Sequence, residues 1–182
     1  MEIIKTAIEG VVIIEPRLFK DDRGYFFESF SQREFNEKVR EVNFVQDNES
    51  KSGYGVLRGL HFQKPPFAQS KLVRVIKGAV LDVAVDIRKD SETFGQWVGV
   101  ELSGDNHKQF WIPAGFAHGF IALEDNTQFL YKTTDYYSKE CERAIVWNEP
   151  ELNIEWPVEE GIQIELTDKD RTAPFMKNSE FF

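Results

Sequence analysis

The stretch Gly55-Val56-Leu57-Arg58-Gly59-Leu60-His61-Phe62-Gln63 sets an imidazole and a guanidinium among alternating apolar residues and glycines. A histidine can take up and return protons near neutral pH, and an arginine clamps anions such as a diphosphate. The alternation predicts a half-buried strand. On an ideal strand Arg58 and Leu60 share one face, and Gly59 and His61 the other. The glycines at 55 and 59 invite a bulge or bend that would re-aim their neighbours. The plainer reading is a packed histidine beside a surface arginine, and these residues alone leave both open.

The framework that must position this stretch is legible from composition and pattern. At 182 residues the chain is expected to be one domain, 1–182, with a substantial core. Its 16 Phe, 5 Tyr and 4 Trp can fill that core and line pockets for planar ligands. A net charge of -9 argues against nucleic-acid binding, while a few convergent Arg and Lys still suffice for a small anion. The single cysteine, Cys141, excludes an internal disulfide and reads as a bystander. With no signal peptide or membrane span recognised, a soluble, cytoplasmic protein is expected.

Strands are predicted at Ile3-Ile4 and Val11 to Ile14, ended by Pro16, and at Tyr25 to Phe30 after the turn Asp21-Asp22-Arg23-Gly24. Ser31-Gln32-Arg33-Glu34 has capping-box spacing, predicting a short helix through Phe35 to Val39. Phe44 to Asn48 reads as a strand in which Gln46 and Asn48 share a face. Lys71 to Ile76 and Val80 to Ile87 follow, the latter with Leu81, Val83, Val85 and Ile87 on one side and Asp82, Ala84 and Asp86 on the other. Further strands are expected at Trp97 to Leu102, around Phe110 to Phe120, at Gln128 to Thr133 and at Ile162 to Leu166. Near Glu149 to Trp156 a short helix or loop is expected, and a polar tail ends the chain. About ten short strands with one early helix favour an all-β sandwich or barrel of jelly-roll type.

Pro113-x-Gly115-x-x-His118 resembles the second motif of the cupins, a jelly-roll superfamily. Many cupins hold a metal through a His-x-His pair in the first motif. Here His61 is followed by Phe62 and Gln63, so the paired ligand spacing is missing and no metal is expected.

The resemblance then narrows. Arg23-Gly24-Tyr25-Phe26-Phe27-Glu28, Gln46-Asp47-Asn48, Leu57 to Gln63, Gln69 to Val75, Ile112 to Phe120, Tyr131-Lys132 and Leu166 to Asp170 are similar, in order, to blocks of the dTDP-4-dehydrorhamnose 3,5-epimerase family. Its members are metal-free cupins that invert C3 and C5 of dTDP-4-dehydro-6-deoxy-D-glucose on the way to dTDP-L-rhamnose. Both carbons flank the C4 ketone, so the chemistry needs a base on one face, an acid on the other and a group to hold enolate charge. No redox cofactor is needed.

The resemblance implies that His61 is the base, Asp170 its hydrogen-bonding partner, Tyr131 the opposite acid, and Lys71 the neighbour of the enolate oxygen. It implies substrate contacts for Arg58, His118, Gln46, Asn48 and Lys169, stacking on thymine for Tyr137, and a further binding position at Glu142. Arg23, Phe26 and Glu28 resemble an N-terminal segment that reaches the neighbouring subunit's nucleotide, which implies a homodimer. Single epimerases and 3,4-ketoisomerases of related dTDP sugars are the nearest alternative. A metal-dependent dioxygenase or a non-catalytic sugar-binding cupin lies further off.

Overall fold

A computed structural model describes residues 1–159 and 161–182. Thirteen strands dominate it: β1 (Glu2–Lys5), β2 (Val12–Glu15), β3 (Phe19–Asp21), β4 (Gly24–Phe26), β5 (Gln46–Ser52), β6 (Leu57–Gln63), β7 (Lys71–Lys77), β8 (Ala79–Asp86), β9 (Trp97–Ser103), β10 (Gln109–Ile112), β11 (Phe116–Ala122), β12 (Thr127–Thr133) and β13 (Glu142–Ala144). Helix α1 (Gln32–Lys38) follows β4, and a one-turn helix α2 (Asp168–Arg171) lies near the C-terminus. Half of the capping box forms, with Ser31 Oγ accepting the Glu34 amide, while the Glu34 carboxylate pairs with Lys38 and the Met1 amino group.

Two antiparallel sheets face one another, in a cupin-like sandwich. One has the order β1-β2-β10-β7-β12-β5 and the other β13-β6-β11-β8-β9. A hairpin of β3 and β4 stands apart from both. Between the sheets lies a core that includes Val73, Val75, Val80, Ala84, Phe110, Phe120 and Phe129. The outer face of the five-stranded sheet is covered by the C-terminal segment, through Leu60, Phe62, Val83, Val85 and Ile87 against Leu152, Met176 and Phe181. Helix α1 covers the other sheet with Phe35 against Ile14, Leu72 and Trp111. Strand β8 therefore buries both of its faces, and its alternation sorts residues between two cores instead of between core and water.

Several expectations change. The aromatic strand from Tyr25 ends at Phe26, because its partner β3 is only three residues long. Phe44 leaves the strand and packs edge-on to Phe35 and Trp111, so β5 begins at Gln46. Ile162 to Leu166 forms no strand beyond a single bridge from Glu165 to Val56. Residues 149–156 form turns and loop, one of the two forms expected there, and the polar tail holds α2. None of the described helices is long and apolar enough to cross a membrane.

Candidate functional site

Strand β6 is irregular where the chemistry lies. His61 pairs with His118 and Arg58 with Phe120, so three steps along β6 match two along β11. The extra residue is a bulge, which flips the parity between Arg58 and His61. Both now line the same cavity between the sheets, while Leu60 and Phe62 pack on the opposite face. The ideal pairing of Arg58 with Leu60 on one face is thus corrected. Gly59 has φ of 131°, and a Cβ there would lie 2.5 Å from Gly119 Cα and 2.8 Å from the His118 carbonyl oxygen. Two glycines back to back let the strands close over the bulge.

The cavity holds about 410 Å³. The five-stranded sheet contributes Arg58, His61, His118 and Phe120. The six-stranded sheet contributes Asn48, Lys71, Phe129 and Tyr131 from the other side. Thr167, Lys169 and Asp170 close one end from α2 and its cap. His61 and Tyr131 therefore stand on opposite walls of one cavity.

His61 Nε2 lies 2.5 Å from Asp170 Oδ1. Burial is the largest single influence on Asp170 and opposes its charge, but the hydrogen bond and charge of His61, the Thr167 bond and the Lys169 charge together hold the carboxyl below its ordinary value. A second pair lies deeper, with His118 Nε2 at 3.0 and 2.9 Å from the two Asp82 oxygens. Burial pushes Asp82 up and His118 down, so each leans toward its neutral form. Burial also depresses Lys71 from 10.5 to about 8, with Asp82 and Glu142 opposing the shift. The Tyr131 phenol is raised by burial and so keeps its proton.

Other residues named from the sequence sit at the rim or elsewhere. Arg58 donates from Nε to Ser52 Oγ, which aims its guanidinium along the β5 wall. Gln46 and Asn48 share a face, and Gln46 Nε2 donates to Asn48 Oδ1 at 2.8 Å. Glu142 accepts from the Tyr137 hydroxyl and pairs with Lys169, joining β13 to α2 beside the cavity. Arg23, Phe26 and Glu28 do not line this cavity within one chain. Arg23 pairs with Asp21 on the exposed hairpin, Phe26 is 67% exposed, and Glu28 borders a separate pocket near α1. Among the described residues, no three His, Cys, Asp or Glu side chains cluster as a metal site requires.

The family model described as dTDP-4-dehydrorhamnose 3,5-epimerase matches residues 5–178. The chain belongs to this epimerase family. The dTDP-4-dehydrorhamnose 3,5-epimerase of Shigella flexneri is 55% identical over 100% of this chain and 99% of its own. A solved structure of dTDP-6-deoxy-D-glucose-3,5-epimerase from Legionella pneumophila, in complex with dTDP-4-keto-L-rhamnose, superposes with a TM-score of 0.94. It is 50% identical, covering 98% of this chain and 94% of that one. A 3'-monoepimerase from Streptomyces bikiniensis, in complex with dTDP-quinovose, is 32% identical at a TM-score of 0.88, over 96% and 87% of the two chains.

Sequence reasoning gave no role to the cavity residues Glu49, Ser50, Phe120, Phe129 and Thr167, nor to Asp82, which does not line the cavity but pairs with His118. Asp82 carried a signal, since a carboxylate stands between apolar neighbours in the middle of β8. Phe120 and Phe129 carried none, because stacked rings 4.2 Å apart look like ordinary core until the cavity beside them is known.

Proposed function

We propose that this protein is a dTDP-4-dehydrorhamnose 3,5-epimerase, inverting C3 and C5 of dTDP-4-dehydro-6-deoxy-D-glucose in dTDP-L-rhamnose biosynthesis. The observation that carries this reading is the placement of an imidazole and a phenol on opposite walls of one cavity, within a chain of this family. His61 takes the proton alpha to the C4 ketone, and the C–H bonding pair moves into the ring as the enolate forms. Asp170 holds the imidazole in orientation and stabilises the imidazolium. Lys71 carries the positive charge nearest the developing oxyanion. Tyr131 delivers its proton to the opposite face, which inverts the centre. Once His61 has released its proton to solvent and Tyr131 has regained one from it, a second cycle at the other alpha carbon completes the product, and proton transfer of this kind contributes about 10²–10⁴-fold to rate.

Arg58, His118, Asn48, Gln46 and Lys169 bind diphosphate and hexose in this account, and Tyr137 stacks on thymine beside Glu142. The homodimer belongs to the same proposal. Phe19, Tyr25 and Phe26 are exposed on a hairpin that carries Arg23, as expected of a segment completing a neighbour's site. The test is conversion of the keto sugar followed by proton NMR, in which ring couplings report both inversions. The monoepimerase likeness favours one alternative, inversion at a single carbon, which the same spectrum separates.

A further inference from the structure

Glu149 is 4% exposed, lies outside the cavity, and among the described residues pairs with no cation. A buried carboxyl without a cation needs hydrogen-bond donors, or its burial is costly. Glu149 Oε2 accepts the Met176 amide at 2.5 Å, and Oε1 accepts the Glu151 amide at 3.3 Å. The first bond spans 27 positions and ends on the chain that leads back to Asp170.

That chain is held at two ends. Upstream, Leu57 donates its amide to the Glu165 carbonyl at 2.9 Å, and Glu165 donates to Gly55 at 3.0 Å. Downstream, Val146 donates to the Pro174 carbonyl, and Glu149 takes the Met176 amide. Between these anchors stands α2, four residues long, bearing Asp170. A single helical turn has little stability of its own, so its position is dictated by its anchors. We propose that Glu149 is a positioning residue: by gripping the Met176 amide it fixes the span that sets Asp170 against His61. The inference rests on the catalytic reading of His61 and Asp170, although the geometry it claims does not.

The probe is the proton shared by His61 and Asp170, read as a far-downfield proton resonance in the intact protein and assigned by its loss in His61→Asn. The proton between His118 and Asp82 serves as the internal control. Glu149→Ala is expected to lose or broaden the first resonance and retain the second. It should lower kcat by about 10- to 100-fold with KM little changed. Glu149→Gln keeps an acceptor oxygen at the same reach and should restore both. A second pair avoids any dependence on the alanine variant folding. Met176→Pro removes the donor at the first position of a 3-10 turn, where proline is accommodated, and Phe175 at ψ of 157° suits the residue before it. Met176→Ala loses the same packing but keeps the N–H. The proline variant should lose the resonance and the alanine variant retain it. Equal behaviour of those two, or an unchanged resonance in Glu149→Ala, overturns the proposal. If the protein turns over no keto sugar, the resonances still decide this claim separately from the proposed function.

Discussion

His61 and Asp170 stand 109 positions apart in sequence and 2.5 Å apart at Nε2 and Oδ1. One comes from a bulged strand, the other from a single helical turn near the C-terminus, and only the tertiary fold joins them. His61→Ala should lower proton exchange at both alpha carbons by about 10²–10⁴-fold. Binding of dTDP, followed by calorimetry, should stay within a few-fold. Near-normal turnover in this variant would remove His61 from the role of base.

Lys71 is protonated below its depressed value of about 8 and neutral above it. An oxyanion partner must be cationic to act, so kcat/KM should fall as pH rises through about 8. Lys71→Met should lower the plateau and abolish that alkaline limb. A wild-type profile flat to pH 9 would contradict the assignment.

Tyr131 keeps its proton because burial raises the phenol. Tyr131→Phe removes the acid and leaves the base, so solvent exchange should outlast net epimerisation. The two rates are compared in deuterated solvent by NMR. Equal loss of both would count against an acid on the opposite face.

The bulge in β6 depends on Gly59. A methyl group there meets backbone at 2.5 Å with φ in the left-handed region, and the neighbouring strand cannot easily yield. Gly59→Ala should destabilise the fold by about 2 kcal/mol or more. The denaturation midpoint reads this directly, and an unchanged midpoint would mean the strands part without cost.

Arg23 and Phe26 are displayed on the hairpin away from their own chain's cavity. Light scattering should find a dimer, and Arg23→Glu should raise KM about tenfold with kcat unchanged, as loss of uniform binding requires. A fully active monomer would rule out a site completed by a neighbour.

What the sequence made legible followed from local rules. Capping at Ser31 and alternation along β8 depend on neighbours a few residues away, and both appear where expected. His61, Tyr131, Lys71 and Asp170 were named from ordered motifs, and the cavity holds all four. The glycines at 55 and 59 point to a bulge without locating it, since the register that turns His61 toward Arg58 depends on how β11 pairs. Helix α2 is too short to leave a period, and Asp82 and Glu149 are buried by partners distant in sequence. Ile162 to Leu166 alternates like a strand but makes a single bridge, from Glu165 to Val56 just before β6.

Acid–base inversion by His61 and Tyr131 is tested most directly by where solvent protons enter the sugar. With dTDP-4-dehydro-6-deoxy-D-glucose in deuterated water, position-resolved NMR should find deuterium at C3 and at C5 with both centres inverted. Label at C3 alone would make the protein a single epimerase, and label at neither carbon would contradict proton removal by His61 and return by Tyr131 altogether.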